Sequence, residues 1–185
     1  MDGPGTDPLL LGLAAGDAQA FAQLYDRYSL RLYRAACGIL GCREDAEDVV
    51  QEVFLATVRS HEKMSNVRDL TAYLFTAMRR AASRCAVRRA RIHRASSRAA
   101  MEAVAPVEQA TADNPDWHRL QQALRALPGP QREVVSLKID GELTFAQIGE
   151  VMGISINTAA SRYRYALSRL KDSLARGRSS LQRRR

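Results

Sequence analysis

Arginine carries most of the chemistry available to this chain. Of its 185 residues, positions 71–100 hold eight arginines and no acid, and positions 162–185 hold nine lysines and arginines against the single acid Asp172. Guanidinium groups at that density repel one another unless something anionic lies against them. The two blocks therefore point to a polyanionic partner rather than to an ordinary solvated face. Covalent chemistry has no comparable constellation. His61, His93 and His118 have no Ser or Cys companion at catalytic spacing, so no catalytic residue is assigned and no enzymatic activity is expected. Cys37, Cys42 and Cys85 make an odd set with no CxxC pair, which implies a reducing compartment rather than a disulfide framework. Joined to His61 or His93 they fall short of a metal-ligand set, and small buried side chains are their expected role. No metal and no cofactor is expected.

A second pattern narrows the polyanion. Residues 144–174, TFAQIGEVMGISINTAASRYRYALSRLKDSL, read as two helices around a tight turn. Thr144 stands as N-cap with Gln147 three residues on, the spacing of a capping box. Phe145, Ile148, Val151 and Met152 make one apolar face, Gly153 ends the helix, and Ile154 fills the angle. Ser155 or Asn157 caps the next helix. There Ala159, Tyr163, Ala166, Leu167, Leu170 and Leu174 share an inner face. Thr158, Ser161, Arg164, Tyr165 and Ser168 lie opposite, flanked by Arg162 and Arg169. Small hydroxyls permit close approach and arginines reach phosphates or guanine edges, so the outer face suits the DNA major groove. An ordinary helical hairpin in a helical protein shares the same outline.

The third feature has the opposite charge. Residues 1–70 contain eleven acids and seven lysines and arginines, inside a chain of net charge +8. A helix over 43–60 turns Ala46, Val49, Val50, Val53 and Thr57 inward. Glu44, Asp45, Glu47, Asp48, Gln51 and Glu52 form its outer face. Acids near a helix start are favoured by the helix dipole. That does not account for Phe54 and Leu55 standing exposed beside them; an acidic rim with apolar residues reads as a docking face for a basic protein surface.

Abundant alanine, leucine and arginine and the absence of β-branched runs predict an all-α chain. Residues 1–16 read as a flexible N-terminal tail. Asp17 caps a helix whose Phe21, Leu24, Tyr25, Tyr28, Leu32, Ala36 and Ile39 recur at three and four until Gly41. His61–Asp69 reads as a polar loop. A helix from about Leu70 to beyond Arg89 sets Leu70, Tyr73, Leu74, Ala77, Met78 and Ala81 inward and Arg79, Arg80, Arg84, Arg88 and Arg89 around the remainder. Tyr73 and Phe75 fit either the core or stacking on an unpaired base. Residues 92–113 lose periodicity and form the expected flexible linker. Asn114-Pro115 restarts helix through Trp117, Leu120 and Leu124, and a short helix through Val134, Val135 and Leu137 precedes the Asp140-Gly141 turn. Residues 177–185 read as a loose basic tail. No secretory signal and no bilayer-spanning stretch is read, so a cytoplasmic location without membrane insertion is expected.

Two of these stretches resemble one family. Asp45-Ala46-Glu47-Asp48-Val49-Val50-Gln51-Glu52-Val53-Phe54, continuing to Leu55, is similar to the region 2 signature of extracytoplasmic-function (ECF) sigma factors of the sigma-70 family. Leu127-Pro128, Gln131-Arg132-Glu133-Val134-Val135, Thr158 and Ser161-Arg162 resemble its region 4. The resemblance covers most of residues 20–175 and implies a fold of two small helical domains. Residues 17–91 would form region 2 and residues 114–176 the region 4 helix-turn-helix. It further implies that Asp45, Asp48, Gln51, Glu52, Phe54 and Leu55 dock on the β′ clamp helices of core RNA polymerase, whose β flap is a further contact. Lys63, Asn66, Tyr73, Arg79, Arg80, Arg84 and Arg88 would open and hold the single-stranded −10 promoter element. Thr158, Ser161, Arg162, Arg164, Tyr165 and Arg169 would read the −35 element as duplex. The linker would run near the path of nascent RNA, and an anti-sigma factor would mask the polymerase-binding faces. The chain departs from the family pattern at Tyr73 (usually Trp), Arg80 (usually Asn), Ala160 (usually basic) and Tyr165 (often Arg). Ala159-Ala160 removes long side chains from the start of the reading helix and shifts base contacts toward Ser161, Arg164 and Tyr165. The competing readings are a helix-turn-helix regulator that does not bind core polymerase, and a small basic helical enzyme or RNA-binding protein.

Overall fold

The computed structural model describes residues 7–96 and 115–182, with side chains over 7–92 and 119–175. Among these residues there are helices and no strand. The first helix, α1 (Pro8–Ala14), lies where the sequence reading expects a loose tail. Asp7 accepts from the Leu9 amide and Pro8 opens the first turn. Seven residues cannot hold a helix alone in water. This one persists because Leu9, Leu10 and Leu13 are buried and His61 Nδ1 donates to the Ala14 carbonyl at 3.1 Å. Too short to show a period, it was not legible as a helix.

Asp17 caps α2 (Ala18–Leu40) through the Gln19 amide, and Gly41 ends it in the left-handed conformation at φ 69°. Leu24, Tyr28, Leu32 and Ala36 are buried as the period predicts. Tyr25 is not; it is 56% exposed, with its ring 5.0 Å from that of Phe54. In α3 (Arg43–Arg59) the buried side chains are Ala46, Val49, Val50, Val53 and Thr57, the set expected. The expected polar loop contains a 3-10 turn, His61–Asn66, because Met64 is wholly buried and draws the chain inward. Asp69 then accepts from the Ala72 amide and starts α4 (Leu70–Ser96). Leu70, Leu74, Met78 and Ala81 are buried, and so is Phe75; Tyr73 and Ala77 are half-buried.

Residues 92–96 of the expected linker continue α4, and 97–113 lie outside the described residues. The second module is built from α5 (Pro115–Arg125), α6 (Gly129–Ile139), α7 (Phe145–Met152) and α8 (Ile156–Gln182). The backbone of α8 stays helical to Gln182, past the point where a loose tail is expected; residues 183–185 are outside the description. Thr144 and Gln147 form the full capping box, and Gly153 is left-handed at φ 65°. Ala123, Leu127, Val135, Ala166 and Leu170 make a core private to this module.

The modules are not separate bodies. Val134, Leu137, Leu143, Ile148 and Val151 belong to one continuous buried cluster with Leu24, Leu32, Leu74 and Phe75 of the first module. The sequence reading, which expects two domains free to move on a flexible linker, contains no signal for this packing.

Candidate nucleic-acid interface

The acidic face of α3 is outward. Asp48, Gln51 and Glu52 are exposed, and Leu55 is 47% exposed next to Val58, also exposed. Phe54 is half-buried because Tyr25 of α2 covers one side of its ring. The result is a ridge with carboxylates along one edge and Tyr25, Phe54, Leu55 and Val58 along the other. Tyr25 is the residue that sequence reasoning missed here: its spacing matched the buried stripe, and only the turn of α2 against α3 places it outside.

Three arginines of α4 pair with acids within the chain. Arg89 pairs with Asp45 at 2.9 Å, Arg84 with Glu52, and Arg79 with Glu133 of the second module. Asp45 is thereby half-buried, more enclosed than the rest of the acidic set. Arg80 is exposed and has no carboxylate partner among the described residues. Arg88 is exposed too, with only a 3.9 Å contact to the Cys85 sulfur. Lys63 and Asn66 are exposed on the 3-10 turn. A groove of about 590 Å³ gathers Asn66, Tyr73, Arg80 and Arg84, with Glu52 and Asp69 at its edges and Glu150 reaching in from α7. Tyr73 presents part of its ring there, whereas Phe75 is wholly buried and has no face left for a base.

On α8 the reading face is outward. Arg164 and Arg169 are exposed and Tyr165 is 66% exposed; Thr158, Ser161 and Arg162 are half-buried. Ser155 caps the helix through the Thr158 amide at 3.1 Å and bonds the Thr158 hydroxyl at 2.8 Å. The Ser161 hydroxyl donates to the Thr158 carbonyl at 3.0 Å. Both hydroxyls are thus engaged within the helix, which leaves Arg164, Tyr165 and Arg169 as its free groups. Leu167 is a correction: placed on the inner face by its spacing, it is 43% exposed, because the packed stripe of α8 runs through Ala159, Tyr163, Ala166 and Leu170 and leaves it to one side.

The cysteines are free, Cys85 buried and Cys37 and Cys42 half-buried, and burial raises the thiol pKa of each. Such thiols are protonated and poor nucleophiles. The described residues contain no cluster of His, Cys, Asp and Glu that could hold a metal, and no described helix is long and apolar enough to cross a membrane. His93 and His118 have side chains outside the described set.

Comparison with known proteins bears on both modules. The family model of sigma-70 region 2 matches residues 24–92, and that of sigma-70, region 4, matches residues 117–170. The ECF RNA polymerase sigma factor SigK of Mycobacterium tuberculosis strain H37Rv is 29% identical over 174 residues, covering 91% of this chain and 92% of the relative. The ECF RNA polymerase sigma factor SigW of Bacillus subtilis is 27% identical over 162 residues, covering 80% and 84%. Among solved structures, the sigma factor RpoE of Bartonella quintana, crystallised with the anti-sigma factor NepR, superposes with a TM-score of 0.69 at 25% identity, covering 85% of this chain and 98% of that one. CnrH, solved with the cytosolic domain of CnrY, shares the fold at a TM-score of 0.65 and 23% identity, with coverage of 90% and 95%.

Proposed function

The chain belongs to the sigma-70 family, in its ECF group, and from that premise we propose that it carries core RNA polymerase to promoters, melts the −10 region and starts DNA-templated transcription. The observation that carries this reading is the order of the two matched regions along one chain, each presenting an outward face of the charge its partner requires. The acidic and apolar ridge of Asp45, Asp48, Gln51, Glu52, Phe54 and Leu55 meets the basic clamp helices of the β′ subunit. Region 4 also lies against the β flap.

The duplex is held at −35 through α8. Arg164 and Arg169 take phosphates and fix register, and Tyr165 reaches the groove. At −10, Lys63, Asn66, Tyr73, Arg80, Arg84 and Arg88 line the path of the unpaired strand. Capturing extruded bases offsets an unpairing cost on the order of a few kcal/mol per base. Within this reading Arg79 is available to DNA only after it leaves Glu133. Residues 17–91, with α1 packed onto them, form the docking and melting module, and 114–176 form the −35 module. The chain supplies no reaction chemistry of its own; the polymerase does. Its place of action is the cytoplasm, with an anti-sigma factor as a further partner, in keeping with the complex in which Bartonella quintana RpoE was solved.

Run-off transcription with purified core polymerase and a randomised promoter library tests the proposal. Discrete start sites that depend on the added chain support it. A helix-turn-helix regulator that does not engage core polymerase would give none.

A further inference from the structure

The start of α8 carries no charge. Residues 153–161, GISINTAAS, hold no lysine, arginine, aspartate or glutamate, so the cations of this helix begin only with Arg162 and Arg164. The turn that presents this stretch is fixed. The Ile154 amide donates to the Gly149 carbonyl at 2.9 Å, and a Cβ on Gly149 would lie 2.8 Å from the Ile154 carbonyl oxygen. Ile154 packs against the core, and Ala159 is wholly buried. The helix start is thus held in one position before any ligand arrives, which lowers the ordering cost of binding.

Its hydroxyls are committed inside the helix. Ser155 accepts from the Thr158 amide and bonds the Thr158 hydroxyl, and the Ser161 hydroxyl donates to the Thr158 carbonyl. Ile156, the first residue of α8, is 55% exposed, and Ala160 and Arg164 follow it at intervals of four along one line of the helix. A single exposed isoleucine is ordinary on a protein surface. This one stands at the end of the helix from which a helix-turn-helix reaches base edges, one line with Arg164. The apolar group that a base pair shows in the major groove is the C5-methyl of thymine. Asn157, exposed beside Ile156, carries the amide that suits adenine, the base opposite thymine.

We propose that Ile156 is a specificity-determining residue that reads a thymine methyl in the −35 duplex, so that the uncharged start of α8 selects a T·A pair by apolar contact. The proposal rests on the sigma-factor reading for the identity of the duplex. Labour along α8 is then divided. Arg164 and Arg169 take phosphates, which fixes register without naming a base, and the first turn names one.

The experiment uses holoenzyme assembled from core polymerase and the full chain, on a promoter recovered by run-off transcription from the randomised library. Each thymine of its −35 region is replaced singly by deoxyuridine, which deletes the methyl and keeps every hydrogen-bonding group. Fluorescence anisotropy reads binding by wild type and by Ile156→Ala, and circular dichroism confirms that this surface substitution leaves the helices intact. The expected result is one position at which uracil weakens wild-type binding about fourfold, the change that follows from one methyl group no longer buried. Ile156→Ala is expected to bind the thymine duplex at least that much more weakly and to be indifferent to uracil at that position. Wild-type binding that no uracil substitution weakens overturns the proposal, as does an Ile156→Ala holoenzyme that keeps the full sensitivity. Discrete transcripts without the methyl effect sink only the role of Ile156, whereas a library that yields no discrete start sinks the sigma-factor reading and this proposal with it.

Discussion

Arg84 holds the Glu52 carboxylate in the structure, and the proposed function gives it a second anion, a promoter phosphate. Both partners are exposed, so the pair itself contributes little to stability and can exchange. Asp48 and Gln51 stand exposed, and in the proposed function they serve the polymerase surface. Asp48→Arg together with Gln51→Ala places a like charge against a basic surface and is expected to abolish capture of core polymerase in a pull-down while leaving the circular dichroism spectrum unchanged. Retained capture would remove the ridge from the docking role. On α8, Arg169→Ala deletes the phosphate contact that the proposed function gives this residue. It is expected to weaken binding to −35 duplexes evenly across sequences and to lower the slope of log K against log salt by about 0.9, read from a salt titration. An unchanged slope would place Arg169 off the DNA.

At the scale of elements, α1 and the α7 cap bear the clearest tests. Leu13 is wholly buried in the short helix that seals the first module. Leu13→Ala is expected to cost about 2–5 kcal/mol of unfolding free energy in a urea titration, and a value near zero would mean that α1 does not dock in solution. Thr144 accepts from the Gln147 amide and fixes the start of α7. Thr144→Ala is expected to cost about 1 kcal/mol by the same titration. Because Gln147 also reaches Asp69, part of that loss would appear as a loosened seam between the modules.

For the whole molecule, the seam has a proton linkage. Asp140 is half-buried against α2, where Gly38, the Cys37 thiol and the Arg34 guanidinium face it. Desolvation raises its pKa to about 6, with Arg34 acting in the opposite direction. The native packing therefore binds a proton that the unfolded chain releases. Asp140's contribution to native stability is fullest below the ordinary carboxylate value of 3.8 and is lost as pH rises through about 6. Allowing for screening of a half-exposed group, the change is about 1 kcal/mol. Asp140→Asn is expected to flatten the pH dependence of unfolding free energy between about pH 4 and about pH 7, read by urea titration. A wild type and variant with the same pH profile over that range would show the carboxyl to be solvated in the native protein.

The helices were written locally. Ala46, Val49, Val50, Val53 and Thr57 recur at helical spacing, Thr144 and Gln147 sit three apart, and Gly41 and Gly153 mark ends, so inner faces, caps and stops all followed from neighbours within one or two turns. The acidic ridge and the basic α8 were legible for the same reason: a helix of known phase exposes what it does not bury. What only the tertiary structure decided was which surfaces meet. Gly38 against Ser136, Arg31 on the Gly141 carbonyl and Asp69 with Gln147 join residues 78 to 110 positions apart. None of these pairs leaves a periodic trace, because contact across a seam depends on the shape and charge of two assembled faces rather than on the order of residues within either.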